Sequence, residues 1–228
     1  VTITITYDLV FEEGRNEHFS LAFEDEAMCL CEVDKSSAPD WTNLEFRKCP
    51  NCPLHVQDSP YCPAALHLSA LVHRLGDIKS YEKVSARVIT REREIVLETT
   101  MQRVFSSPMG LVIASSGCPP AAYYRPMARF HLPFASYEET IFRTTSTYLM
   151  AQYFRHHRGQ KIDLNLEGLV DISKNIQTVN AFLAQRLRDS CEIAQTNAIA
   201  HLDLFAQALP VAEDESLEEF SQLFQAYL

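Results

Sequence analysis

"VTITITYDLVFEEGRNEHFSLAFED", residues 1–25, alternates polar and apolar side chains, and that period of two sets the fold class of the amino-terminal region. Val1, Ile3, Ile5, Tyr7, Leu9 and Phe11 fall on one face, with Thr2, Thr4, Thr6 and Asp8 on the other. This is the pattern of a strand with one buried side. "EEGRN" reads as a turn, and Phe19, Leu21 and Phe23 resume the alternation, which predicts a β-hairpin. Outward from the hairpin, further strands are expected around Leu44 and Phe46, at "EKVSARVIT" (82–90) and at "REIVLETT" (93–100). "PAALHLSALVHRLG" (63–76) places Leu66, Leu68, Leu71, Val72 and Leu75 at helical spacing before Gly76, so a short helix is expected there.

The last hundred residues change period. Ser136 followed by Glu139 is a capping-box pair that predicts a helix from about Tyr137. Ile141, Phe142, Thr145, Tyr148, Leu149 and Tyr153 form its apolar stripe. A second stripe runs through Leu169, Ile172, Ile176, Val179, Leu183 and Leu187. A third, from Ala194 through Leu202 and Phe205 to Leu209, stops at Pro210. Ser216 with Glu219 repeats the capping pattern before Leu217, Phe220, Phe224 and Tyr227. Strands first and helices later predict an α+β protein. A mainly antiparallel amino-terminal sheet with a short helix (residues 1–135) precedes a helical layer or bundle (136–228), the two packed as one unit.

The 228 residues carry a formal charge of −10, which argues against broad binding to nucleic acid or anionic lipid. No apolar run reaches the roughly 18 residues of a membrane span, and a cytoplasmic location is expected. Residues 123–158 hold Arg125, Arg129, Arg143, Arg155 and Arg158 against Glu138 and Glu139 alone. The carboxy-terminal Glu213, Asp214, Glu215, Glu218 and Glu219 form an acidic counterpart.

The seven cysteines are an odd number, and four of them precede proline: Cys49, Cys52, Cys62 and Cys118. Cys49-x2-Cys52 is the short bite that aims two sulfurs at one point, and Cys62 lies ten positions on. With residues 63–76 helical, Cys62 is the N-cap and Pro63 the first helical residue, and the helix dipole is expected to lower the pKa of Cys62. Cys118, in the rigid "SSGCPP" loop, is the expected fourth ligand, with His55, His67 and His73 as competitors. Four thiolates saturate either tetrahedral zinc or a [4Fe–4S] cubane. Pro53 has no N–H to donate to sulfur, which departs from a zinc knuckle and ranks the cluster ahead of Zn2+. A metal-free set of redox thiols is the third reading. Cys29 and Cys31 share a face if "AMCLCEV" is a strand and then read as buried apolar side chains; Cys191 reads as helical core.

"CPPAAYYRPMARFHLPFASYEE" (118–139) concentrates Tyr123, Tyr124, Arg125, Arg129 and His131 between prolines. Arg125 and Arg129 are the expected guanidinium partners of a negatively charged cluster, and His131 a weaker candidate for proton transfer. Asn175, Asn180 and Asn197 are expected on solvated helix faces. G-x-G-x-x-G, P-loop, G-x-S-x-G and H-E-x-x-H motifs are missing, so no reaction is named. "KCPNCPL" (48–54), "CPAALHL" (62–68) and "SGCPPAAYYRPMARFHLPFASYEETIFR" (116–143) resemble a family of bacterial proteins known only as a domain of unknown function. The resemblance spans most of the chain and implies no activity, cofactor or catalytic residue. The functional expectation is a [4Fe–4S] redox or sensor protein meeting a protein or redox partner. The alternative is an interaction module stabilised by structural zinc.

Overall fold

The computed structural model describes residues 1–24, 26–31, 33–190 and 217–228. The alternation of residues 1–25 becomes two strands, β1 (Thr2–Phe11) and β2 (Asn16–Glu24), paired antiparallel with Thr2 opposite Glu24 and Val10 opposite Asn16. β3 (Lys83–Ile89) pairs antiparallel with the other edge of β1, and β4 (Glu94–Thr100) with β3, so the order is β2-β1-β3-β4. Ile5, Tyr7, Leu9 and Phe11 are buried as their period requires, joined by Val84, Ala86 and Val88. The Tyr7 ring stacks on Phe19 with centroids 5.0 Å apart.

That apolar face is covered by helices. α1 (Pro63–Leu75) buries Ala64, Ala65, Leu68, Leu71, Val72 and Leu75. α2 (Met101–Ser115) lies where neither helix nor strand is expected, because Pro108 and Gly110 interrupt it and Thr100 makes no side-chain cap bond. Its start is satisfied by tertiary contacts instead. The Met101 amide donates to the Glu82 carbonyl at 2.9 Å and the Gln102 amide to Ser80 at 2.8 Å. Buried Val104, Phe105, Met109 and Val112 then offset the local cost of the proline.

The strand expected around Leu44 and Phe46 does not form. Only an isolated bridge joins Asn43 to Tyr61, and a turn follows. The carbonyls of Trp41, Asn43 and Leu44 instead accept hydrogen bonds from Arg186. Cys29 and Cys31 likewise flank a single bridge, Leu30 to Phe23, rather than sharing a strand face; Cys29 is half-buried and Cys31 exposed.

After the short α3 (Arg125–Arg129) come α4 (Tyr137–His157) and α5 (Glu167–Asp189). The capping box of α4 is complete: the Glu139 amide donates to Ser136 Oγ at 3.1 Å and the Ser136 amide to Glu139 Oε2 at 2.7 Å. Its expected stripe is buried only in part, at Ile141 and Thr145, with Tyr148 half-buried. Ile141, Thr144, Thr145 and Gln152 are buried, whereas Phe142, Leu149, Met150, Tyr153 and Phe154 are exposed. Apolar residues surround this helix, so periodicity alone selects no face. Phe142 meets Phe220 and Phe224 of the carboxy-terminal segment. In α5 the expected stripe is the buried one, through Ile176, Val179, Leu183 and Leu187, with Ile172 half-buried. One apolar core runs from the sheet through α1 and α2 to α5. The architecture is α+β. No helix among the described residues is long and apolar enough to cross a membrane. The helix expected over Ala194–Leu209, Pro210, Cys191, Asn197, the acids Glu213 to Glu215, and Ser216 lie outside the described residues.

Candidate metal centre

Three separate segments place the four Cys-Pro cysteines on the lining of one cavity. Arg47, in a left-handed conformation at φ 48°, turns the chain into the Cys49–Cys52 bite. The Cys52 amide donates to the Cys49 carbonyl at 3.0 Å, closing a tight turn. Asn51 Nδ2 fastens this turn to α5, donating to the Asn175 carbonyl at 3.1 Å and to Asn175 Oδ1 at 2.9 Å. Arg47 pairs with Asp189 at the end of α5. Asn175 is therefore bound to the cysteine turn, although its face is exposed as expected.

Cys62 is the N-cap of α1 and Pro63 its first residue, as the spacing predicts. Its amide donates to the Thr42 carbonyl at 2.8 Å. Cys118 follows Gly117, whose φ of +91° lies where a side chain is strained, and caps a 3-10 turn over Pro119–Tyr124. The Cys118 amide donates to Ser116 Oγ at 3.2 Å.

Cys49, Cys52, Cys62 and Cys118 all line one cavity of about 10 Å3, enclosed by Leu44, Pro63, Pro120 and α5. None of His55, His67 or His73 lines it. Cys49, Cys62 and Cys118 are buried and Cys52 half-buried. Among the described residues, no three His, Cys, Asp or Glu side chains already stand as a group able to hold one metal ion. The sulfurs face a shared space without closing on a point.

Burial dominates the thiol chemistry. It pushes Cys49 and Cys118 up to about 12, with the neighbouring thiols adding to the effect. Cys62 is also raised by burial, contrary to the expected lowering. The Arg186 charge and the Ala65 and Ala64 amides at the start of α1 pull it down, but desolvation is the larger influence. No full hydrogen bond joins its sulfur to those amides. Without a ligand these groups are neutral thiols, poorly nucleophilic at neutral pH.

The cation in this cavity is Arg186. It is 1% exposed and lines the cavity beside the cysteines. Its Nη1 donates to the Trp41 and Asn43 carbonyls at 2.8 and 2.7 Å, and Nη2 to Leu44 at 3.0 Å. Nε is buried without a partner, and no carboxylate pairs with the guanidinium among the described residues. Sequence reasoning missed Arg186 because it lies 68 positions beyond Cys118 on an ordinary amphipathic helix; an arginine inside the period of α5's apolar stripe was the available signal.

Arg125 and Arg129 do not line this cavity. Arg125 begins α3 with Nε buried and unpartnered, and Arg129 lies over the Phe130 ring at 5.6 Å. His131 faces a different cavity, where its Nε2 is 2.9 Å from the Tyr7 hydroxyl and 3.2 Å from Ser107 Oγ. Burial, helped by the Arg143 charge, lowers His131 to about 3. The buried imidazole therefore favours its neutral form. Asn180, expected in solvent, is 0% exposed, and neither amide atom has a partner.

The sequence pattern described as Domain of unknown function (DUF6901) matches residues 5–225. The chain belongs to this family. DUF6901 thus covers the sheet, all four Cys-Pro pairs and Arg186 in one unit of sequence. No curated protein and no solved structure matches the chain significantly.

Proposed function

We propose that this DUF6901 chain holds a thiolate-bound metal centre through Cys49, Cys52, Cys62 and Cys118 and serves as a redox or sensor protein, with a [4Fe–4S] cluster as the leading cofactor. The observation that carries the reading is Arg186. A buried guanidinium with no carboxylate partner among the described residues is costly. Four thiols beside it become its counter-charge once a metal displaces their protons. A cluster would supply one-electron exchange or a response to oxygen, and half-buried Cys52 offers the shortest approach for a protein redox partner.

The donor set is soft and apolar-walled, as such a cluster requires. One zinc ion needs all four sulfurs about 2.3 Å from a single centre. A cubane takes one sulfur on each of four irons, so its four sulfurs need not meet at one centre. The second reading, structural Zn2+ in an interaction module, is favoured by the small cavity, which admits roughly one water-sized body. Either cofactor requires the loops that carry the cysteines to shift from this arrangement.

Anaerobic purification of the full chain tests the choice. A broad thiolate-to-iron absorption band that bleaches in air and is lost in Cys118→Ser supports the cluster. A colourless protein whose cysteine region unfolds on chelation but withstands oxygen supports zinc and refutes the cluster. A metal-free chain from the anaerobic preparation refutes both.

A further inference from the structure

The second cavity, bounded by α2, α3, α4 and α5, measures about 250 Å3, near the small end of ligand pockets. It shares a wall with the cysteine cavity but none of its sulfurs. Leu111, Ile113, Leu132, Phe134 and Ile176 make most of its surface apolar. Its charged lining residues are Arg103 and Arg143, with no aspartate or glutamate among them. Arg143 Nη2 donates to the Met127 and Phe130 carbonyls at 3.0 and 2.8 Å, and Arg103 Nη2 to the Phe134 carbonyl at 3.0 Å. Those bonds orient both forks without neutralising either charge. They use one nitrogen of each guanidinium, which has five N–H donors.

Asn180 is the independent sign of a ligand. It lines this cavity, fully buried, with both Nδ2 and Oδ1 unpartnered. An unsatisfied buried amide is destabilising, and on an α5 face built for packing a leucine would avoid that penalty. The retained amide makes physical sense if something in the cavity bonds to it.

We infer that this cavity binds a small, largely apolar organic carboxylate, its anion held by Arg143 and Arg103 and by the Asn180 amide, its hydrocarbon part against α2 and α5. A neutral apolar molecule would leave half-buried Arg143 with no charge partner but Glu139, whose carboxylate is already committed to the Ser136 amide at the α4 cap. A highly charged phosphate ester would place polar surface against Leu111 and Ile176. The carboxylate satisfies both the walls and the charge. This inference does not depend on whether a metal occupies the cysteines.

Isothermal titration of the full chain with octanoate, and with octanamide as its uncharged counterpart, tests it. Saturable binding of one octanoate per chain is expected, with octanamide at least about tenfold weaker because a charge-assisted hydrogen bond is lost. Arg143→Gln should weaken octanoate roughly ten- to a hundredfold. Ala135→Phe, which fills the cavity from its half-buried rim, should abolish binding with the melting temperature unchanged, and remains informative should Arg143→Gln not fold. Equal binding of octanoate and octanamide, undiminished octanoate binding by Ala135→Phe, or no saturation at millimolar octanoate would overturn the inference.

Discussion

Two cavities lie back to back in this protein, and they handle buried charge in opposite ways. Pro120, Val179 and Leu183 face the cysteine side, while Ala121, Ile176 and Asn180 face the other, so one 3-10 turn and one helix serve both. The cysteine cavity is small, rich in sulfur, and contains a cation buried to 1% exposure. The second is larger, with Arg143 half-buried, Arg103 exposed and its imidazole held neutral. The contrast teaches that a buried cation carries more information than a cavity's size. Arg186 has no carboxylate partner among the described residues, and the Cys49, Cys52, Cys62 and Cys118 thiols line the cavity beside it. Arg103 and Arg143 have access to solvent and can await a ligand.

Arg186→Met should break the comparison most severely. It leaves three backbone carbonyls unpaired and removes the counter-charge of the thiolates, so metal content should fall and stability drop by about 3–5 kcal/mol in denaturant titration. Unchanged metal content would detach Arg186 from the centre.

A pH titration separates the cavities by sign. In the chelator-stripped, reduced chain, unfolded thiols ionise near pH 8.5 but folded Cys49 and Cys118 only near 12. The unfolded state therefore binds fewer protons in that window, and stability falls as pH rises, by about 1.4 kcal/mol per pH unit for each thiol. Metal loading should remove this alkaline loss. His131 acts oppositely: its folded pKa of about 3 lies below the ordinary 6.5, so stability present above pH 6.5 is lost as pH falls toward 3. Denaturation midpoints across pH, with and without metal, check both arms.

Gly117→Ala should cost roughly 1–2 kcal/mol through its positive φ and disturb the placement of Cys118, which denaturation and metal content together would record. Smallest in reach is Ser136→Ala. Loss of the α4 cap should cost about 1 kcal/mol while leaving the metal content unchanged, because the cap touches no cysteine.

The sheet was legible because its signals are local: each odd residue of β1 announces its own burial. The Cys62 N-cap and the Ser136 cap were legible for the same reason. What stayed hidden depends on contacts far apart in the chain. α2 is carried by the core and by the Glu82 and Ser80 carbonyls, against its own proline. The segment at Leu44 gives its carbonyls to an arginine more than 140 positions away instead of to a neighbouring strand. The four Cys-Pro pairs named the sulfurs of the candidate centre, but the guanidinium beside them carried no motif. Burial also reversed the expected direction of the Cys62 pKa, since a helix dipole acts locally and desolvation reflects the whole surrounding fold.

Elemental analysis of the anaerobically prepared chain, measuring iron, acid-labile sulfide and zinc per polypeptide, bears most directly on the thiolate centre. About four irons and four sulfides per chain, falling together in Cys62→Ser, is the predicted result for the leading cofactor. One zinc would keep the four-sulfur site and replace its cofactor. Substoichiometric metal of every kind, in a folded chain whose Arg186→Met variant is no less stable, would contradict the account.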